Sequence, residues 1–317
     1  MKLATLKHGA REMVAVVDGT RGLFWPLPEL FPQFRQTPTA DMVQVITQLH
    51  QKRLGAPPET KGRALKDAQL LAPIRVPPRN IFCVGKNYRA HAREFSTSGF
   101  DAGGRSSHSH PDKPHPNKPI VFTKPWTAIA GPTDPIPLWP DVDQAVDYEG
   151  ELAVVIGKKG RFISKLRALE HVFGYTIIND VTARDLQRDH EQWYLGKAVD
   201  GFAPMGPWIV TSDELTGIDL RIHTKINGET RQDAKTSELI FDVATLVSTI
   251  SRGIELLPGD IIATGTPEGV GIGFHPPKFL KEGDIVEVDI SNIGRIRNVV
   301  QRVSASGEPQ PVNRPTD

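Results

Sequence analysis

The sequence predicts an α+β fold that is mainly β: a mixed, largely antiparallel core behind a small N-terminal α+β unit. Three observations predict it. Strand-like apolar runs dominate and do not alternate with helices as they would in a doubly wound parallel sheet. Of 317 residues, 27 are Pro and 28 are Gly. Pro therefore exceeds its usual level of about 5%, which calls for many turns and few long helices. The length, finally, allows a small domain beside a larger one, with a core of substantial size.

The first 76 residues read as the small unit. Met13 to Val17 is an apolar strand, Asp18 to Gly22 a turn, and Leu23 to Trp25 the returning strand. Asp41 caps a helix whose Met42, Val45, Ile46 and Leu49 share a face. The Pro-bounded stretch Ala72 to Pro78 is the linker, and residues 77–303 form the larger domain. In it, Ile81 to Val84 is a buried strand and Tyr88 to Phe95 a short helix. Ser96 to Lys118 is a long Ser/Gly/His/Pro segment of the kind found in lids or disorder. Strands follow at Ile120 to Thr123, Asp147 to Ile156, Tyr175 to Asn179, Trp208 to Thr211, Leu220 to Ile226, Ile261 to Thr264, Ile285 to Ile290 and Arg295 to Val303. Helices are expected over Ser164 to Val172, ended by Gly174, over Thr182 to His190, and within Ser237 to Ile254. Asn227-Gly228 is a hairpin turn signal. Residues 304–317 form a frayed, flexible tail.

Composition narrows function. Lys plus Arg is 38 and Asp plus Glu is 37, a net charge of +1. That balance argues against nucleic acid as a partner, which needs a basic surplus. No apolar run is long enough for a membrane span, and the N-terminus lacks a signal-peptide core. One cysteine, Cys83, excludes a disulfide framework. A cytoplasmic protein is expected.

Five clusters could carry chemistry. Glu149 and Glu151 alternate on one strand face that Ala153 and Val155 continue inward. Paired carboxylates beside a buried run repel unless a divalent cation such as Mg²⁺ neutralises them; solvated strand-end glutamates are the alternative. Asp180 ends a strand before a helix, as a site residue or as an N-cap. Arg184 and Gln187, three apart, share a helix face that could equally be solvated. His91 and Glu94 can touch on a helix, as a base oriented by a carboxylate or as an ordinary surface pair. Lys197 lies among Trp193, Tyr194 and Phe202, placed to meet an anion if buried, or snorkelling if not. Thr266, in Thr264-Gly265-Thr266-Pro267, offers a hydroxyl in a tight turn. Gly269, Gly271 and Gly273 form no dinucleotide fingerprint, because no strand–helix frame surrounds them. His108, His110 and His115 are solvated loop residues or a transition-metal site.

Taken in order, Val84–Phe95, Lys118–Pro125, Asp147–Lys158, Gly174–Gln187, Leu195–Pro207 and Ile261–Gly271 resemble the fumarylacetoacetate hydrolase family. The resemblance implies a mixed β-roll fold and a homodimer. It implies metal ligands Glu149, Glu151 and Asp180 for Mg²⁺, Mn²⁺ or Ca²⁺. It gives His91 and Glu94 the activation of water, Lys197 and Gln187 contact with substrate oxygens, and Arg184 and Thr266 the hold on a carboxylate. The expected activity is C–C hydrolysis of a 2,4-dioxo acid such as an acylpyruvate or fumarylpyruvate. Isomerisation or decarboxylation of hydroxymuconate-type or oxaloacetate-like diacids is the alternative, and a non-catalytic metal-binding protein the third.

Overall fold

The computed structural model describes residues 1–35, 41–49, 61–100, 115–142, 144–190, 192–215, 217 and 219–308. His108 and His110, and most of the expected tail, lie outside them. The strands used below are β1 Lys2–His8, β2 Arg11–Asp18, β3 Leu23–Pro26, β4 Ile81–Gly85, β5 Ile120–Lys124, β6 Gly150–Ile156, β7 Val172–Asn179, β8 Ala203–Thr211, β9 Arg221–Ile226, β10 Glu229–Lys235, β11 Ile261–Ala263, β12 Ile285–Ile290 and β13 Gly294–Arg302. The helices used below are α1 Met42–Leu49, α2 Arg89–Thr97, α3 Arg184–Asp189, α4 Tyr194–Lys197 and α5 Val243–Ile250.

The large sheet runs β3-β2-β1-β8-β7-β6-β11-β4-β5 in space. All these pairings are antiparallel except β11 with β4. The first strands are therefore continuous with the rest, through Lys2 opposite Val210 and Leu3 opposite Ile209. A second sheet, β10-β9-β12-β13, takes Ile136–Leu138 as a parallel edge. Ile222, Val286, Val288 and Ile296 pack from it onto Leu6, Leu152, Ile177 and Val210 of the large sheet. On the other face, α1 presses Met42, Val45, Ile46 and Leu49 against Leu3, Val14 and Ile209. Its cap is as expected: Asp41 Oδ1 accepts from the Gln44 N–H at 3.0 Å.

Every residue of β6 is buried. Its two faces feed different core clusters, Ala153 and Val155 on one side and Leu152 on the other. This central strand ends at the site, so its terminal carboxylates emerge from the best-packed part of the protein.

Local expectations differ in four places. The strand expected over Asp147 to Ile156 is broken at Tyr148 and Glu149. The Glu149 N–H donates to Asn179 Oδ1 at 2.9 Å, while Val146–Asp147 pairs separately with Thr182–Ala183. That pairing also delays the helix expected from Thr182, which starts at Arg184. Lys165–His171 forms a 3₁₀ rather than an α-helix, and Gly174 lies inside β7, where a Cβ would sit 2.3 Å from the Val210 carbonyl oxygen. The helix expected within Ser237 to Ile254 is reduced to α5. Asp242 caps it through the Thr245 N–H, and the residues before it are pegged elsewhere: Ser237 to Asp219 and Phe241 to Asn87.

Candidate active site

Three strands and two short helices deliver the charged side chains. Glu149 and Glu151 flank the first residue of β6, and Asp180 follows β7. Ligand oxygens of the three lie within 4.8 Å of one another, and all three residues are buried. Asp180 does not cap a helix. Its Oδ2 meets Lys197 Nζ at 2.9 Å and its Oδ1 meets Lys124 Nζ at 2.8 Å. Lys197 Nζ also reaches Glu149 Oε2 at 2.8 Å. Arg184, on α3, gives Nη2 to Glu149 Oε1 at 2.7 Å, Nε to Asp147 Oδ2 at 2.9 Å and Nη1 to Gln187 Oε1 at 3.1 Å.

Buried charges survive only when paired, and this cluster obeys that rule unevenly. Burial works to raise the Glu149 carboxyl, but Lys197 and Arg184 outweigh it and hold the group down at about 2. Burial pushes the Glu151 carboxyl well up, and the neighbouring Asp180 and Glu149 charges push the same way. Glu151 makes no ion pair among the described residues; Oε2 accepts only the Gly265 N–H, at 2.7 Å. A divalent cation fits this donor set. Three carboxylate oxygens are what hard cations take, and a 2+ charge would offset the repulsion on Glu151.

His91 and Glu94 sit on α2. Nδ1 of His91 meets Glu94 Oε2 at 3.1 Å, and Glu94 Oε1 accepts the Gly269 N–H at 2.9 Å. The helix starts where Asn87 pins the chain: its Nδ2 donates to the Thr264 carbonyl at 2.7 Å and its Oδ1 accepts from the Phe241 N–H at 2.8 Å. Thr266 Oγ1 donates to the Gly150 carbonyl at 3.1 Å and accepts from Gln232 Nε2 at 2.7 Å, so its hydroxyl is already engaged within the protein.

These residues meet in one cavity of about 20 Å³, slightly more than one water needs. Its walls include His91, Glu149, Glu151, Arg184, Gln187, Lys197 and Thr266, with Phe95, Phe122 and Trp193 as apolar lining. Asp180 lies behind Lys197, and Glu94 behind His91. The structure thus brings together all nine residues singled out from the sequence. The solvated alternatives for Glu149, Glu151, Arg184, Gln187, His91 and Lys197 do not hold, because each is buried.

Sequence reasoning missed Lys124, Asp147, Asn87 and Gln232. Lys124 is fully buried and also donates to the Val181 carbonyl at 2.9 Å. Its signal was a lysine closing an apolar strand just before Pro125. Asp147 was visible only as the residue before the two glutamates.

The fold is that of an enzyme family. Residues 80–301 match the model described as fumarylacetoacetate (FAA) hydrolase C-terminal. The chain belongs to the fumarylacetoacetate hydrolase family. It is 45% identical over 238 residues to the oxaloacetate tautomerase YisK of Bacillus subtilis, across 75% of this chain and 74% of that protein. A solved fumarylacetoacetate hydrolase from psychrophilic Exiguobacterium antarcticum is 40% identical with a TM-score of 0.78, covering 95% of this chain and 99% of that one. The maleylpyruvate hydrolase of Sphingobium sp. SYK-6, solved with manganese(II) and pyruvate, is 30% identical with a TM-score of 0.74, covering 95% of this chain and 99% of that one.

Proposed function

We propose that the chain is a metal-dependent enzyme that moves a proton between carbon and oxygen of a compact 2-oxo diacid of the oxaloacetate class. This places keto–enol chemistry ahead of the C–C hydrolysis expected from the sequence. The single observation that carries it is the shared cavity: an imidazole held by a carboxylate shares it with Glu149 and Glu151, which with Asp180 behind them make a set of three buried carboxylates suited to one divalent cation. The 45% identity to an oxaloacetate tautomerase supports the substrate class.

Glu149, Glu151 and Asp180 would hold Mg²⁺ or Mn²⁺. When bound, the cation supplies Lewis acidity toward the 2-oxo acid oxygens and lowers the cost of enolate charge. His91 does the proton work. Glu94 accepts from Nδ1–H, which leaves the Nε2 lone pair to take the C3 proton of the keto acid and deliver it to the C2 oxygen of the enolate, the reverse reaction running from the enol hydroxyl to C3. Lys197, which pairs with Glu149 and Asp180 in this structure, would be free to meet a substrate oxygen if those carboxylates held a cation instead. The Gln187 side-chain carbonyl accepts from Arg184 Nη1, leaving its amide N–H₂ group as a donor to the substrate. Arg184 keeps Glu149 ionised in the absence of substrate.

Hydrolysis of a 2,4-dioxo acid is the second reading, supported by the likeness to a maleylpyruvate hydrolase. There His91 would take a proton from water. Hydroxide would add to the distal carbonyl, and the C–C bond would break with its electrons passing to the pyruvate-type fragment.

The test is a substrate panel of enol and keto oxaloacetate, an acylpyruvate, fumarylpyruvate and a hydroxymuconate-type diacid, with Mg²⁺, with Mn²⁺ and after prolonged chelation. Interconversion of oxaloacetate tautomers without cleavage supports the first reading. Pyruvate release from an acylpyruvate supports the second. Activity that persists after complete metal removal contradicts both.

A further inference from the structure

The loop Gly269-Val270-Gly271-Ile272-Gly273 has no phosphate-binding frame, yet it meets the site twice. We propose that this loop is the seat of the His91–Glu94 pair, with Gly269, Gly271 and Gly273 as positioning residues and Asp147 as the clamp that ties the seat to the carboxylate cluster. Its consequence for catalysis rests on the function proposed above; its consequence for α2 does not.

The Glu94 carboxylate is divided between two tasks. Oε2 orients the His91 ring, and Oε1 is anchored by the Gly269 N–H. The anchor needs close approach. A Cβ on Gly273 would lie 1.7 Å from Glu94 Oε1, the same atom that the Gly269 N–H holds. A Cβ on Gly271 would lie 2.5 Å from the Lys278 carbonyl oxygen and 2.6 Å from Asp147 Oδ1. Of the three, only Gly269 has a positive φ, at 93°. Turn geometry therefore explains one glycine. Gly273 is needed because the Glu94 carboxylate sits against it, and Gly271 because the Lys278 carbonyl and the Asp147 carboxylate both do.

The residues between the glycines do the opposite job. Val270 and Ile272 are buried and pack with Phe95 of α2. The loop thus presents backbone to the Glu94 carboxylate and apolar side chains to the same helix. Asp147 fixes the loop from the far side. Its Oδ1 accepts the Gly271 N–H at 2.6 Å and its Oδ2 accepts the Ile272 N–H at 3.2 Å. Oδ2 also accepts from Arg184 Nε, and Arg184 reaches Glu149. An unbroken chain of contacts joins the imidazole to a carboxylate of the metal set: His91, Glu94, the loop, Asp147, Arg184, Glu149.

The decisive property is where the Gly273 clash falls. It falls on the end of a flexible side chain, so Gly273→Ala displaces the Glu94 carboxylate and leaves the loop backbone in place. The test is a cycle of Gly273→Ala, Glu94→Ala and the double variant in the full-length protein. Each single variant is expected to lose about 10²-fold in kcat, the scale of a misplaced catalytic group, with KM changed less than about threefold. In the Glu94→Ala background the added methyl meets no carboxylate, so Gly273→Ala costs under about twofold there. Losses that multiply in the double variant overturn the proposal, since they mean that the loop acts by some route other than Glu94. Amide hydrogen exchange across 89–97 in metal-free protein reads the same cycle without catalysis: faster in both single variants, and no faster again in the double. Unchanged exchange in Gly273→Ala overturns the seat. A wild type inactive on every 2-oxo acid, with the exchange cycle as expected, refutes the proposed function and leaves the seat standing.

Discussion

The two halves of the site are built differently. The carboxylate half grows from strands in the middle of a sheet. Glu149, Glu151 and Asp180 are at most 4% exposed, and lysines or an arginine hold two of the three. The imidazole half rides on α2, a nine-residue helix without a side-chain N-cap, and its Glu94 side chain is 15% exposed. One half is fixed by the whole fold; the other by Asn87, one glycine loop and a small apolar cluster. A cation site needs fixed geometry. A proton-transfer group needs only to be oriented, and local contacts suffice for that.

The comparison predicts different failures. Glu149→Gln removes one of the three carboxylates proposed to hold the cation and leaves Lys197 and Arg184 short of a buried partner, so activity should fall by about 10³-fold or more, with Mn²⁺ affinity falling in the same calorimetric titration. His91→Ala should lose about 10²- to 10⁴-fold in kcat, the range for a general base, while Mn²⁺ affinity holds within about twofold. Equal loss of metal in both variants would erase the distinction between the halves. Lys124→Met strips one partner from Asp180 without touching substrate; metal affinity should drop about 10- to 100-fold, as for other residues that orient a ligand.

A pH effect sharpens the same contrast. The Glu151 carboxyl in the folded, metal-free protein titrates above its unfolded value. A raised folded value costs stability as pH rises past the unfolded carboxylate range near 4.5, because the unfolded chain ionises first. Bound cation removes that cost by ionising Glu151. The Mg²⁺-induced rise in Tm should therefore be larger at pH 8 than at pH 5.5, and binding should release protons measurable in buffers of different ionisation enthalpy. The smallest effect belongs to the exposed pair Arg167–Glu170, which touches neither half: Glu170→Gln should leave the Tm of the metal-free protein unchanged in thermal melts.

The halves were also unequally legible in the sequence. Glu149, Glu151 and Asp180 could be found because strand alternation and strand ends are local patterns. Lys124 and Asp147 could not, since what matters is their burial against residues dozens of positions away. The hairpins were legible from turn chemistry: Asn227 and Gly228 adopt the positive φ values that their types favour. Edge pairing of β1 with β8 was not, because no local pattern encodes which distant edge a strand meets. The helix within Ser237 to Ile254 was legible, as Val243–Ile250; where it begins was not. Its apolar spacing was real, but Asp219 and Asn87 claim the backbone that would have formed its first turns.

The central claim is that His91 transfers the proton while the carboxylates hold the cation. The most direct measurement is the rate of oxaloacetate enol-to-keto conversion by Mn²⁺-saturated His91→Ala, beside wild type and chelated wild type. The account predicts full Mn²⁺ occupancy in the variant with conversion reduced by at least about 10²-fold. Conversion at the wild-type rate by the metal-saturated variant would contradict it.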